Sequence, residues 1–139
     1  MNQRSFQMRL ACRYQDPDNS VSDLLVEHLD NGEWQAFDLN LRSPGFQIFV
    51  YAALSCQHLY FRANCAERGL MLKSARGSIH MLTAEDWELQ QVRIEFEGTL
   101  KAGKPMEDDL DYLVERMKLC PVSRNTKALA DSETTVCLI

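Results

Sequence analysis

Residues 43–69 read SPGFQIFVYAALSCQHLYFRANCAERG and make up the longest helix that the sequence predicts. Ser43 is a good N-cap, Pro44 suits the first helical position, and Gly69 is a natural C-terminal stop. At 1.5 Å per residue, such a helix is about 37 Å long. Its first half is apolar on nearly every side, which predicts burial all round, either by its own domain or by a partner chain.

Three strands are predicted before this helix. Residues 6–14 alternate apolar and polar side chains, which is the pattern of a half-buried strand. Residues 24–29 and 34–41 give two more strands, and Asp30-Asn31-Gly32 between them is a strong hairpin signal. In the third strand we expect one face to carry Phe37, Leu39 and Leu41.

Two further strands and a second long helix are predicted after Gly69. The strands cover residues 70–81 and 89–97, and residues 98–104 read as a loop. The second helix begins at Pro105, and its apolar stripe extends to Cys120, where Pro121 ends it. A short helix over 123–130 and a closing strand over 134–139 follow.

The predicted order of elements is β-β-β-α-β-β-α-α-β. Strands and helices are grouped in blocks, which indicates an α+β fold with a mainly antiparallel sheet. A chain of 139 residues without an internal repeat or linker is expected to form a single domain over residues 1–139.

Charge and hydropathy exclude several functional classes. The net charge is −5 and no basic stripe is present, which argues against nucleic acid as a partner. No apolar run approaches the ~20 residues of a membrane span, so we expect no membrane partner. The sequence begins without a signal-peptide core, so a cytoplasmic location is expected.

The chain contains five cysteines, an odd number that does not suit a fully paired secreted framework. In a reducing cytoplasm these thiols are expected to be free. Three of them, Cys12, Cys65 and Cys137, read as packing residues. No CxxC motif occurs and the three histidines are scattered, so we expect neither a metal site nor a cofactor.

Helical phase separates the cysteines of the longest helix. Cys56 shares a stripe with Phe49 and Ala53, whereas Cys65, nine positions later, falls on the opposite face. Cys56 and Cys120 could therefore face each other. They could be small buried hydrophobes, which is a common fate of free cysteine, or a redox pair. A reactive Cys56 would need a nearby cation, because an apolar setting raises a thiol pKa.

Two segments together resemble a known family. Ser43-Pro44 leads into a helix with Ala52-Ala53-Leu54-Ser55-Cys56, and after two strands a second helix ends in Leu119-Cys120-Pro121-Val122-Ser123. From about residue 40 to residue 129, the chain is similar to the OsmC/Ohr superfamily of osmotically inducible and organic hydroperoxide resistance proteins. The resemblance implies an OsmC-like fold, in which a sheet wraps around a long central helix. It also implies an intertwined homodimer with its active sites at the subunit boundary.

The resemblance also implies roles for individual residues. Cys56 would be the peroxidatic cysteine that attacks an organic hydroperoxide, and Cys120 the resolving cysteine, with a dithiol reductant restoring the pair. The family's glutamate before the first cysteine corresponds here to Gln47, with Phe46 as the other candidate. Its thiolate-stabilising arginine comes from an N-terminal strand, and of Arg9, Arg13 and Arg42 we rank Arg13 first.

Because glutamine is uncharged, a second hypothesis stays open beside the peroxidase. In it, the chain forms an OsmC-like dimer that binds a small apolar ligand in the inter-subunit pocket without turnover. A thiol sensor whose disulfide alters a protein partner is a third hypothesis. The sequence alone leaves open whether the protein is an enzyme.

Overall fold

The computed structural model of the chain describes residues 3–126 and 131–139. These residues form a six-stranded sheet with the strand order β3-β2-β1-β4-β5-β6 and two α-helices. The elements are β1 (Arg4–Gln15), β2 (Ser20–Asp30), β3 (Glu33–Ala36), α1 (Gly45–Glu67), β4 (Met71–Thr83), β5 (Leu89–Ala102), α2 (Glu107–Met117) and β6 (Ser132–Leu138). A 3-10 turn, Ser123–Asn125, lies between α2 and β6.

The pairing of the strands confirms the α+β class and the mainly antiparallel sheet. All neighbouring strands are antiparallel except β5 and β6, which run parallel. The order of strands and helices is also the predicted one, with the 3-10 turn in the place of the third helix.

The hydrophobic core lies between the sheet and helix α1. On β1 the predicted alternation holds, because Met8, Leu10, Cys12 and Tyr14 are all buried. Helix α1 contacts β1 and β4, and α2 packs against α1 and β6. Gly77 of β4 allows the ring of Phe96 to lie across it, since a Cβ atom there would be 2.5 Å from Phe96 Cε1.

The third strand is shorter than predicted. Pairing with β2 ends at Ala36, and the last backbone bond is donated by Phe37 N–H to Val26 O. The chain then leaves the sheet to reach the start of α1. The expected strand face therefore does not exist beyond Phe37, and Leu41 is 104% exposed.

Strand β5 is longer than predicted and continues through most of the segment 98–104 that reads as a loop. Gly98 is the source of this error. It is not a turn residue, because a Cβ atom there would lie 2.8 Å from Leu72 Cδ2. The glycine allows close packing inside a strand, where the sequence suggested a strand end.

The helix ends also differ from the prediction. Ser43 does not cap α1, because its Oγ accepts a hydrogen bond from Asn40 N–H instead and the helix begins at Gly45. Helix α2 covers only Glu107–Met117, so Cys120 lies in the turn after it. Of the short helix predicted over 123–130, only the 3-10 turn is seen, and residues 127–130 lie outside the described residues.

Helix α1 is buried on the side that faces the sheet, where Val50 and Leu54 are fully buried. Its opposite side is not covered within one chain, and Leu59 is 48% exposed. The chain's own domain therefore does not bury α1 all round, and burial by a partner chain, the other predicted alternative, stays a prediction. No helix in the described part of the chain is both long and apolar enough to span a bilayer.

Candidate functional site

Two thiols meet where α1 packs against the segment after α2. Cys56 lies in the middle of α1 and is half-buried, whereas Cys120 is fully buried three residues after the end of α2. The Cys120 thiol is close enough to Cys56 to act on its pKa through a hydrogen bond. Both cysteines are reduced. The expected juxtaposition of these two residues is thus present within a single chain.

One short loop, residues 120–126, donates backbone hydrogen bonds to both sulfurs. Val122 N–H donates to Cys56 Sγ, and Ser123 N–H donates to Cys120 Sγ over 3.3 Å. Pro121 lacks an N–H and forces the chain to turn, which brings these two amides towards the sulfurs. Amide donors favour a thiolate over a thiol, because a hydrogen bond to the charged form stabilises it.

Despite these donors, the pKa of Cys56 is high. Burial is the largest cause, followed by its hydrogen bond to the Cys120 thiol, and together they raise the pKa to about 11, against a lowering effect of Val122 N–H. Among the residues that the structure describes, none of the groups acting on this thiol is a cation. In an isolated chain, Cys56 is therefore almost entirely a neutral thiol at pH 7.

The other two predicted site residues lie apart from the thiols within one chain. Gln47 precedes Cys56 by nine positions on α1, which places it about half a turn away, on the opposite side of the helix. Arg13 follows the buried Cys12 on β1 and is exposed, so it points to the face of the sheet away from α1. Phe46, the alternative to Gln47, packs against Phe6 and Trp87.

Two residues beside the thiols were not predicted. Gln57 directly follows Cys56, and its Nε2 donates a 2.6 Å hydrogen bond to Ser123 Oγ in the buried interior. A small polar cavity of about 130 Å³ lies next to them and is lined in part by Lys118, Thr126 and Thr134. The sequence signal for Gln57 was weak, because it lies in a short polar stretch with Ser55 and His58.

A second buried polar group is formed by His58, the residue directly after Gln57 on α1. His58 Nε2 and Tyr14 Oη are 2.7 Å apart, and the His58 ring stacks on Phe96. Burial, and then the charge of Arg62, lower the pKa of His58 to about 4. Burial likewise raises the pKa of the Tyr14 hydroxyl. This pair is buried in the core, and it lies away from Cys56 because His58, two positions later, is about 200° round the helix.

The low pKa of His58 predicts acid sensitivity. Unfolded histidine has a pKa of 6.5, so between about pH 6.5 and 4 the unfolded state binds more protons than the folded state. The free energy of unfolding should therefore fall by about 3 kcal/mol as the pH drops through this window. Urea unfolding at a series of pH values measures this, and His58→Gln should flatten the dependence. An equally steep dependence in the variant would contradict it.

The remaining cysteines have different surroundings. Cys12 and Cys65 are buried as expected, and burial, then the nearby Asp109, raises the pKa of Cys65 to about 12. Cys137 is exposed on β6, so the expectation that it packs in the core is wrong. Over the described residues, no three His, Cys, Asp or Glu side chains converge as a metal-ligand set.

The fold and the site define an α+β protein in which a half-buried thiol and a buried thiol meet between a central helix and a loop. No protein-family model matches the sequence, and no curated protein matches it significantly. Solved structures do match its fold. An OsmC-like protein from Mycoplasma pneumoniae has a TM-score of 0.53 at 8% identity, over 93% of this chain and 94% of that one.

An OsmC-like hydroperoxide resistance protein from Jannaschia sp. has a TM-score of 0.54 at 13% identity, over 86% of this chain and 85% of that one. Such low identities carry no residue roles, but the coverage extends over nearly the whole of each chain. The chain therefore has the OsmC-like fold, which confirms the predicted fold of the single chain, and the intertwined dimer stays a prediction.

Proposed function

We propose that this chain is a thiol-dependent peroxidase that reduces organic hydroperoxides. The observation that carries the proposal is the contact between the Cys56 and Cys120 thiols. A thiol that substrate can reach, next to a second thiol, is an arrangement that suits a peroxidatic and a resolving cysteine. The matched Jannaschia structure, described as a hydroperoxide resistance protein, supports the same class of reaction.

The chemistry balances with these two residues and an external dithiol. The Cys56 thiolate attacks the terminal, hydrogen-bearing oxygen of the hydroperoxide, the O–O bond breaks, and the alkoxide leaves as an alcohol after taking a proton. Cys56 becomes a sulfenic acid, and the sulfur of Cys120 displaces its hydroxyl as water to form a disulfide. A dithiol reductant, such as a reducing cytoplasm supplies, then returns both cysteines to thiols and is itself oxidised.

The reaction needs a thiolate, and the isolated chain holds Cys56 as a thiol. We therefore propose that a second copy of the chain completes the site with a cation. In one chain, neither Gln47 nor Arg13 reaches the thiols, so any role of these two residues at Cys56 would have to act across the interface between copies.

The uncovered side of α1 is the surface that fits such a homodimer. It carries a stripe at helical spacing, composed of Ile48, Ala52, Ser55, Leu59 and Ala63, which is half-exposed or exposed along its whole length. Small and apolar residues in this pattern allow two helices to pack closely. Cys56 follows Ser55 directly and lies at the edge of this stripe, which would place the thiols at the subunit boundary.

A charge in this stripe should therefore prevent dimerisation. We expect the unchanged protein to sediment as a dimer and Leu59→Asp to sediment as a monomer, because the aspartate would be buried without a partner. Leu25→Asp is the matched control. Leu25 is 51% exposed, close to the value for Leu59, but it lies opposite Ala11 on the other face of the sheet. Dissociation by Leu25→Asp and not by Leu59→Asp would overturn this interface.

The peroxidase proposal is tested by steady-state turnover. Reduced protein is mixed with cumene hydroperoxide and dithiothreitol, and loss of the hydroperoxide is followed. Consumption that is proportional to protein concentration is expected. Consumption equal to that of the buffer with dithiol alone would reject the proposal.

The high pKa of Cys56 favours a second candidate function, in which the dimer binds a small apolar molecule without turnover. The rate of Cys56 alkylation as a function of pH separates the two. A thiol pKa below about 8 in the assembled protein would support the peroxidase, because reactive cysteines have depressed values. A value near that of the isolated chain, about 11, would support the binding function.

A further inference from the structure

The hydrogen bond between Gln57 and Ser123 joins helix α1 to the loop that carries Cys120. The amide of Gln57 is 1% exposed and Ser123 is also buried. The donor and acceptor, Gln57 Nε2 and Ser123 Oγ, are 2.6 Å apart. In such a dry environment a hydrogen bond is stronger than in water, and an unmade one is costly.

Gln57 and Ser123 are each directly connected to one of the sulfur-bearing residues, by the chain or by a hydrogen bond. Gln57 is next to Cys56 in the sequence. Ser123 donates its own N–H to Cys120 Sγ, and the preceding residue, Val122, donates to Cys56 Sγ. The position of Ser123 therefore sets the position of both amide donors and of the Cys120 sulfur.

The other hydrogen bonds made by side chains of the loop stay within the loop and the end of α2. Arg124 Nε donates to Leu119 O, Asn125 Nδ2 to Pro121 O, and Thr126 Oγ1 to Ser123 O. These bonds hold the loop to itself and to the end of α2. Within residues 3–126 and 131–139, the bond from Gln57 is the one hydrogen bond between two side chains that ties the loop to α1, beside the contact of the thiols and the bond from Val122 N–H to Cys56 Sγ.

We propose that Gln57 and Ser123 are positioning residues that hold the Cys120 loop against α1 and thereby keep the two sulfurs within reach of each other. The inference rests on the proposed function in one respect, namely that the two cysteines form a disulfide. Gln57 and Ser123 themselves contact neither the hydroperoxide nor the reacting oxygen atoms. They act by raising the effective concentration of one thiol at the other.

The cavity beside Gln57 and Ser123 leaves room for a conservative substitution of Ser123. Ser123 and Gln57 both line this space of about 130 Å³, which is larger than a methyl group. Ser123→Thr keeps the hydroxyl and adds a methyl group that the cavity can accommodate. Ser123→Ala removes the acceptor, and Gln57→Met removes the donor at nearly constant side-chain volume.

The test is the thiol–disulfide equilibrium of the full-length protein with reduced and oxidised glutathione. The fraction of Cys56–Cys120 disulfide is measured by mass spectrometry after acid quenching. Ser123→Ala and Gln57→Met should each lower the equilibrium constant for closing the disulfide by about tenfold, the size expected for loss of one buried hydrogen bond. Ser123→Thr should stay within about twofold of the unchanged protein.

Asn64→Leu is the matched control for a merely structural effect. It removes the buried amide of Asn64, two turns beyond Gln57 on α1, whose Nδ2 donates to Tyr60 O and whose Oδ1 accepts from Arg116 Nε of α2. The variant therefore loosens α1 from α2 without touching the bond between Gln57 and Ser123. We expect it to lower the melting temperature and to leave the disulfide equilibrium unchanged.

The outcomes separate the two proposals. If the unchanged protein forms no Cys56–Cys120 disulfide at any glutathione ratio, the proposed function fails. If it forms the disulfide and Gln57→Met or Ser123→Ala does so equally well, the positioning role is wrong. An equal change in Asn64→Leu would likewise reject the positioning role, and should Ser123→Ala not fold, Gln57→Met and Ser123→Thr decide.

Discussion

Replacing Cys56 by serine should reduce hydroperoxide consumption to the rate of dithiol alone, a loss of at least about a thousandfold. A serine hydroxyl next to no strong base is a far weaker nucleophile than a thiolate, and it cannot form the sulfur–oxygen intermediate. Cys56 is also the more accessible of the two paired thiols, since Cys120 is fully buried. Substrate must therefore meet Cys56 first.

Cys120→Ser should give a different defect, which makes the assignment of roles testable. The variant should consume about one equivalent of hydroperoxide per chain rapidly and then accumulate Cys56 as a sulfenic acid that dimedone traps. Cys137→Ser is the control, because Cys137 is exposed on β6 and lies outside the pair. If Cys56→Ser keeps its turnover and Cys137→Ser loses it, the assignment of Cys56 is wrong.

Replacing Phe61 by alanine should lower the free energy of unfolding by about 3–5 kcal/mol, the range for truncating a fully buried aromatic side chain. Phe61 is 0% exposed, and its ring stacks on Phe96 with a centroid distance of 5.0 Å. The backbone at Gly98 approaches so closely that a Cβ atom there would lie 3.0 Å from Phe61 Cζ. A rigid strand on one side and a helix on the other limit how far the resulting cavity can collapse.

Urea unfolding at fixed protein concentration measures this loss, because assembly also contributes to apparent stability. Leu25→Ala is the control. Leu25 is half exposed on the outer face of the sheet, so its truncation should change the free energy of unfolding by less than about 0.5 kcal/mol. A loss below about 1 kcal/mol for Phe61→Ala would contradict the packing described for the core.

The parts of the fold that were predictable are those in which burial imposes a period. Alternation over β1 and in the stretch from Val92 to Phe96 predicted buried faces that the structure confirms. Helical phase likewise distinguished Cys56 from Cys65, which faces the core. In each case the chain packs against one continuous apolar layer, so sequence spacing alone carries the information.

Residues whose role depends on a distant partner were misread. Gly98 looked like a turn residue because its contact with Leu72 is 26 positions away in the sequence. Ser43 looked like a helix cap, but its hydroxyl bonds to Asn40 in the preceding loop. A serine hydroxyl can bond either to the first turn of a helix or to the preceding loop. The path of the chain decides between the two, and helix propensities contain no information about that path.

In the candidate site, too, some residues were predictable from sequence spacing and others depend on a distant partner. The sequence predicted that Cys56 and Cys120 could face each other, and their contact is present. Gln47 and Arg13 came from the resemblance alone, and within one chain they lie away from the thiols. The link between Gln57 and Ser123 spans 66 positions and joins a helix to an irregular loop, so no periodicity could have indicated it.

The most direct test of the thiol pair is to identify its oxidised product. Fully reduced protein is treated with one equivalent of cumene hydroperoxide, the remaining thiols are alkylated, and the digest is mapped by mass spectrometry. We expect a single intrachain disulfide between Cys56 and Cys120, with Cys12, Cys65 and Cys137 recovered as alkylated thiols. Recovery of Cys56 and Cys120 as alkylated thiols after the hydroperoxide treatment would contradict the proposed function.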